Sequence, residues 1–101
     1  MEGNEMISFQ IISAVGTARS MYIEAIASAK AGDFETADNL ISEGAAIFLE
    51  GHKAHGTLIQ KEASGEKVEF SLILMHAEDQ LMSAETFKIV AQEIIDIYRN
   101  K

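Results

Sequence analysis

The chain is expected to turn back on itself at residues 30–34, which read Lys30-Ala31-Gly32-Asp33-Phe34. Gly32 can take the left-handed conformation that ends a helix, and Asp33 is a favourable N-cap for a helix that follows. Lys30 places a positive charge in the last turn of the preceding helix, where it is stabilised by the helix dipole. These residues predict a tight hairpin of two helices.

Apolar residues recur at steps of three and four on both sides of this turn, as they do in amphipathic helices. The spacing predicts a first helix over residues 7–30, a second over residues 34–61 and a third over residues 70–98. Residues 62–67 are polar, include Gly65 and separate the second helix from the third. We therefore predict an all-α chain of three long antiparallel helices, with residues 1–101 forming a single domain.

The predicted second helix contains three glycines, Gly44, Gly51 and Gly56. Each costs about 1 kcal/mol relative to alanine in a helix interior. Such a cost is tolerated where two helices cross closely or where a helix bends. We expect one of these two explanations to apply.

The amino-acid composition supports this fold class and argues against several kinds of site and binding partner. The 101 residues include no cysteine and no proline, which excludes disulfides and thiolate sites and favours long helices. Eight Lys and Arg against 16 Asp and Glu give a net charge of −8, which disfavours binding to nucleic acid or anionic lipid. The first residues lack the basic region of a signal peptide, and no apolar run approaches the ~20 residues that span a bilayer. We expect a cytoplasmic protein without membrane insertion.

The predicted third helix is apolar on more than one face. One set of apolar residues suffices for packing within the chain, and a second set remains: Leu72, Met75, Met82, Ile89, Val90 and Ile97. A rod of three helices has much surface for its volume, so a second apolar face indicates self-association. We expect the third helix to lie nearest the axis of an oligomer.

His76 is the main candidate for chemistry, because it is an imidazole within an apolar stretch of this helix. Asp79 and Gln80 follow at three and four residues, and Ser83 and Thr86 continue a narrow polar seam. One interpretation is a histidine that is hydrogen-bonded in a core or interface. The other is a nucleophile in a half-buried groove, with a neutral ring and one free nitrogen. In the second case Leu72, Met75 and Met82 would form an apolar rim around it.

Asp79 has three interpretations. It is a solvated carboxylate on a helix face, or it accepts a hydrogen bond that orients the imidazole, or it points at an oligomer axis. Three copies at a threefold axis would need a shared proton or a hard cation.

The other histidines, His52 and His55, lie three residues apart on the second helix. They could flank a metal, but no Glu-x-x-His or His-x-x-x-His pattern accompanies them. Ligation there, and a metal carrier of the four-helix type, are therefore disfavoured.

Four segments together resemble one known family over nearly the whole chain. They are Gly16-Thr17-Ala18-Arg19-Ser20, Ala31-Gly32-Asp33-Phe34, Glu62-Ala63-Ser64-Gly65 and Met75-His76-Ala77-Glu78-Asp79-Gln80-Leu81-Met82. In order and spacing they resemble the lactose/cellobiose-type IIA component of the bacterial phosphoenolpyruvate-dependent sugar phosphotransferase system.

The resemblance implies a three-helix subunit that trimerises into a nine-helix bundle. It implies that His76 accepts a phosphoryl group from the histidine-containing phosphocarrier protein and passes it to a cysteine of the IIB component. It also implies that Asp79 meets its two symmetry copies around one divalent cation per trimer, magnesium, with a structural role.

The chain departs from the family pattern in two motifs. The active-site segment of the family reads His-x-Gln-Asp-His-Leu-Met, and here Glu78 and Gln80 stand at the Gln and second His positions. The second-helix motif reads Ala-His-x-x-Gln-Thr-x-Leu, and the Gln and Thr positions hold His55 and Gly56. We expect phosphoryl transfer at a rate that need not match that of the family.

We therefore expect a phosphoryl carrier in the uptake of lactose-, cellobiose- or chitobiose-type sugars, without a prediction of which sugar. The alternative is a non-catalytic helical bundle that only binds or regulates other proteins, with His76 as a core residue. Phosphorylation of His76 separates the two.

Overall fold

The computed structural model describes residues 3–101, which form three α-helices and no strand. They are α1 (Gly3–Lys30), α2 (Phe34–Ala63) and α3 (Leu72–Arg99). Lys61 near the end of α2 donates to Asn4 near the start of α1, and Arg99 at the end of α3 binds Asp38 near the start of α2. Consecutive helices are therefore antiparallel, and the predicted all-α fold is confirmed.

Two predicted helix starts differ from the structure, by four residues for α1 and by two for α3. α1 begins at Gly3 instead of residue 7, and the Ser8 hydroxyl donates to the carbonyl of Asn4 in this added turn at 2.9 Å. α3 begins at Leu72 instead of residue 70, because Ser71 is its N-cap and its hydroxyl accepts from the Leu74 N–H at 3.1 Å.

The turn at residues 30–34 has the predicted chemistry. Gly32 has a φ of +82°, which favours glycine. The Asp33 carboxylate accepts from the Thr36 N–H at 3.1 Å and so satisfies one of the free donors at the start of α2.

Replacing Asp33 with alanine is expected to lower the thermal midpoint at neutral pH, because this cap is lost. The hydrogen bond from Thr36 lowers the pKa of Asp33 below its ordinary value of 3.8. A carboxylate with a lowered folded-state pKa contributes stability above its unfolded-state value, and this is lost as the pH falls through the folded-state value. Thermal unfolding of the wild type and of Asp33→Ala is measured from neutral to strongly acid pH. The difference between their midpoints should shrink below pH 3.8.

The matched control is Asp33→Asn, which keeps an oxygen acceptor that does not titrate. Its midpoint should fall less than that of the alanine variant at neutral pH. A constant loss for Asp33→Ala down to strongly acid pH would contradict the capping role.

The core consists of two clusters along the length of the rod, which measures 52 × 23 × 19 Å. α1 lies between the other two helices and packs against both. The cluster near the hairpin is made of Ala18, Tyr22, Ala25, Ala29, Ala37, Ile41, Ala91 and Ile95. The cluster at the opposite end, which supports the start of α3, is made of Ile11, Val15, Leu58, Ala77, Leu81 and Ala84.

Two of the three glycines in α2 mark a close crossing with α1, as predicted. A Cβ atom built on Gly44 would lie 2.7 Å from Tyr22 Cε1, and one on Gly51 would lie 3.0 Å from Val15 Cγ1. Gly56 has open space around it, so the crossing does not explain it. Tyr22 fills the crossing: it is fully buried, and burial raises the pKa of its phenol above the ordinary value of 10.0.

Candidate functional site

His76 lies in the second turn of α3, and its side chain is exposed. It lines a shallow depression together with Leu72 and Ile73 of its own helix and Phe9 and Ile12 of α1. The next residue, Ala77, is fully buried in the core, on the side of α3 that packs against α1. The imidazole is therefore held at the edge of the helix, open to solvent with apolar side chains around it.

The interpretation of His76 as a core residue is wrong for the single chain, because its side chain is exposed. The predicted rim was correct only for Leu72. Met75 and Met82 do not line this depression, because each residue of a helix is rotated by about 100° from the one before it. Phe9 and Ile12 take their place.

Asp79 and His76 line different depressions along α3. Asp79 lines a groove with Met82, Ser83, Thr86, Phe87 and Val90. Among residues 3–101, no side-chain hydrogen bond involves Asp79 or His76. The described chain thus contains no hydrogen bond by which Asp79 orients the imidazole, and the predicted polar seam is divided between two depressions.

His55 and Glu78 form a contact that the sequence analysis did not predict. His55 Nε2 and Glu78 Oε1 lie 2.8 Å apart, and the two side chains are 19% and 46% exposed. The contact joins α2 to α3 two residues from His76. One signal was available: both residues stand where the chain departs from the family pattern.

His52 does not share this contact. Its ring is stacked with the Phe48 ring, with the two centroids 6.4 Å apart and the planes inclined by 16°. His52 and His55 thus have separate partners, and the structure does not bring them together as a pair of ligands.

The second apolar face of α3 is not covered by the rest of the described chain. Its exposed residues are Leu72 (77%), Met75 (47%), Met82 (63%), Ile89 (60%), Val90 (43%) and Ile97 (63%). They lie on the opposite side of the helix from the buried residues Leu81, Ala84 and Ala91. Asp79 lies within this face, and His76 lies beside it.

A family model described as "PTS system, Lactose/Cellobiose specific IIA subunit" matches residues 6–99. The chain belongs to this family. Its members are components of sugar phosphotransferase systems, so the resemblance noted in the sequence is confirmed.

Known relatives agree with this assignment over nearly their full length. The chain is 46% identical over 97 residues to the lichenan-specific phosphotransferase enzyme IIA component of Bacillus subtilis, covering 96% of this chain and 88% of the relative. The crystal structure of the PTS cellobiose-specific enzyme IIA from Bacillus anthracis is 43% identical, with a TM-score of 0.96 and coverage of 99% and 92%. A solution structure of the IIA(Chitobiose)–HPr complex of Escherichia coli gives 27% identity, a TM-score of 0.78 and coverage of 99% and 97%.

The IIA subunit described here has no helix within residues 3–101 that combines the length and the apolar character needed to cross a bilayer.

Proposed function

We propose that this IIA subunit is a phosphoryl carrier in sugar uptake, with His76 as the residue that is phosphorylated. The observation that carries the proposal is the position of His76, an exposed imidazole in an apolar depression with no hydrogen bond to another described side chain. A neutral imidazole nitrogen is a good nucleophile toward phosphorus. The apolar surroundings would limit access of water to the phosphoryl group once a partner is docked.

The site contains few other reactive side chains, and phosphoryl transfer requires few. It depends on in-line positioning and on stabilisation of charge, both of which a partner protein can supply. The bond from phosphorus to the donor nitrogen breaks as the bond to the His76 nitrogen forms, and the donor nitrogen keeps the electron pair.

The proposed donor is the histidine-containing phosphocarrier protein, HPr, and the proposed acceptor is a cysteine of the IIB component. The solved complex of a chitobiose-type relative with HPr supports the choice of donor. The carbohydrates for which these relatives are named include lichenan, cellobiose and chitobiose. The proposal therefore covers this class of sugars without choosing one of them. The subunit is proposed to act in the cytoplasm.

The proposed assembly is a homotrimer in which α3 lines the axis and three chains make a nine-helix bundle. Met75, Met82 and Ile89 follow each other at seven-residue steps, with Asp79 and Thr86 between them. This spacing is typical of a helix seam that packs against copies of itself. Burial of this face would remove a large exposed apolar patch from water and would leave His76 at the boundary between subunits.

Asp79 is proposed as the ligand of a structural divalent cation, magnesium, on that axis. The proposed ligands are three Asp79 carboxylates, one from each chain of the trimer. Carboxylate oxygens suit a hard cation, and Asp79 lies on the apolar face where the copies would meet. The cation would offset the repulsion of three carboxylates and would take no part in phosphoryl transfer.

Asp79→Leu is expected to remain trimeric and to lose the cation. An apolar side chain can replace buried charges at an axis without loss of stability. Native mass spectrometry and metal analysis of both proteins would check this. A wild-type trimer without metal, or a variant that retains it, would contradict the proposal.

The function is tested by incubating the subunit with phosphoenolpyruvate and the upstream carriers. The expected product is an adduct of one phosphoryl group per chain, labile in acid and stable in base, which maps to the peptide that contains His76. A bundle that only binds other proteins would form no adduct.

A further inference from the structure

The His55–Glu78 contact is a specific link between α2 and α3 near the proposed nucleophile. His55 Nε2 and Glu78 Oε1 are 2.8 Å apart and only partly exposed. A hydrogen bond to an ionised carboxylate is shorter and stronger than one between neutral groups. α2 and α3 otherwise contact each other much less than each contacts α1. A polar link therefore has more influence on their relative orientation than it would in a densely packed interface.

The link acts on the side of α3 opposite to His76. The buried residue Ala77 separates His76 from Glu78, and successive side chains are rotated by about 100° around the helix. His76 is thus directed toward the edge formed with Phe9 and Ile12 of α1, and Glu78 is directed toward His55 of α2. A rotation of α3 about its axis would therefore move the side chains of His76 and Glu78 together.

We propose that His55 and Glu78 are a positioning pair that fixes the rotation of α3 and so holds the His76 imidazole in its apolar depression. The proposal rests on the proposed function, since it is the direction of the nucleophile that the pair would fix. Neither residue touches the reacting atoms; both act through the helix.

The link joins two residues that are 23 positions apart in the chain, and it can be rebuilt with uncharged side chains. Two glutamines can also form a hydrogen bond, because each side chain carries a donor and an acceptor. A Gln–Gln pair should thus replace the His–Glu pair.

The test uses His55→Ala, Glu78→Ala and the double alanine variant, with His55→Gln/Glu78→Gln as the rescue. The matched control is Asp38→Ala, which breaks a second polar link between α2 and α3. There Asp38 oxygens lie 3.2 Å and 2.5 Å from the Arg99 guanidinium, at the end of the rod away from His76. All variants are compared by thermal midpoint, by the rate of phosphorylation at saturating phospho-HPr and by the HPr concentration that gives half the maximal rate.

Each single alanine variant is expected to reduce the saturating rate about tenfold, because a misplacement of about 1 Å can cost about 100-fold and the loss of one contact should shift the imidazole by less. The double alanine variant should be no slower than the slower single variant, since the two residues act as one unit. The half-saturating HPr concentration should change little. The Gln–Gln variant should restore the rate, and Asp38→Ala should keep it even at an equal loss of thermal midpoint.

A readout that needs no phosphate separates this proposal from the proposed function. The ring resonances of His76 in ¹H–¹³C spectra should shift in both single alanine variants and should stay unchanged in Asp38→Ala and in the Gln–Gln variant. If the wild-type protein accepts no phosphoryl group, the proposed function fails. The His76 resonances then still test whether His55 and Glu78 position the imidazole. Unchanged His76 resonances in both single alanine variants, or rate losses no larger than in Asp38→Ala, would overturn the proposal that His55 and Glu78 position His76.

Discussion

Replacing His76 with glutamine is expected to abolish the phosphoryl adduct completely, while replacing His52 with glutamine leaves it intact. Glutamine has an amide nitrogen that is not nucleophilic toward phosphorus, so not even slow residual transfer is expected. The adduct is measured with labelled phosphoenolpyruvate and the upstream carriers. His52 is the matched control, because it is also an exposed histidine and its ring stacks on Phe48, away from the depression that His76 lines.

The loss in His76→Gln should come without loss of structure. His76 is exposed and makes no side-chain hydrogen bond among the described residues, and such substitutions usually change the free energy of unfolding by less than about 0.5 kcal/mol. Circular dichroism and thermal unfolding would establish this. An adduct that persists in the glutamine variant would assign the carrier role to another residue and would remove the basis of the proposed function.

The features of the fold that depend on local chemistry could be predicted from the sequence. Gly32 and Asp33 determine the hairpin through their own backbone and side-chain preferences, and both behave as predicted. The start of α3 was placed two residues early, because the spacing of apolar residues includes Phe70 whereas the cap is formed by Ser71. Periodicity indicates that a helix exists, and the capping hydrogen bond determines where it begins.

The candidate site was predictable only for the residues of one helix. His76 could be singled out because it interrupts an apolar stretch, but Phe9 and Ile12 belong to α1 and were not foreseen. The contact between His55 and Glu78 was missed for the same reason. Contacts between helices depend on how each helix is rotated about its axis, and a helix-by-helix reading of the pattern does not specify that angle.

Replacing Gly44 with alanine is expected to lower the free energy of unfolding, whereas replacing Gly56 with alanine in the same helix raises it. Both variants gain about 1 kcal/mol of helix propensity. The Cβ of Gly44→Ala would lie 2.7 Å from Tyr22 Cε1 and 3.3 Å from the Ala18 carbonyl oxygen, and the Cβ of Gly56→Ala would meet nothing within 4 Å. Overpacking of a filled core costs about 1–3 kcal/mol, and the Tyr22 ring is fully buried and cannot swing into solvent. The net result for Gly44→Ala should be a destabilisation of up to about 2 kcal/mol, given that cost and that gain.

Urea unfolding at one fixed protein concentration measures both changes, because the stability of an oligomer depends on concentration. The contact with the tyrosine can be isolated by repeating Gly44→Ala in a Tyr22→Leu background. Most of the cost should disappear there, since the shorter side chain leaves room for the added methyl group and the two substitutions are then coupled. If alanine at residue 44 stabilises the wild-type chain as much as alanine at residue 56 does, the close approach of α1 and α2 at Tyr22 is not what requires glycine at this position.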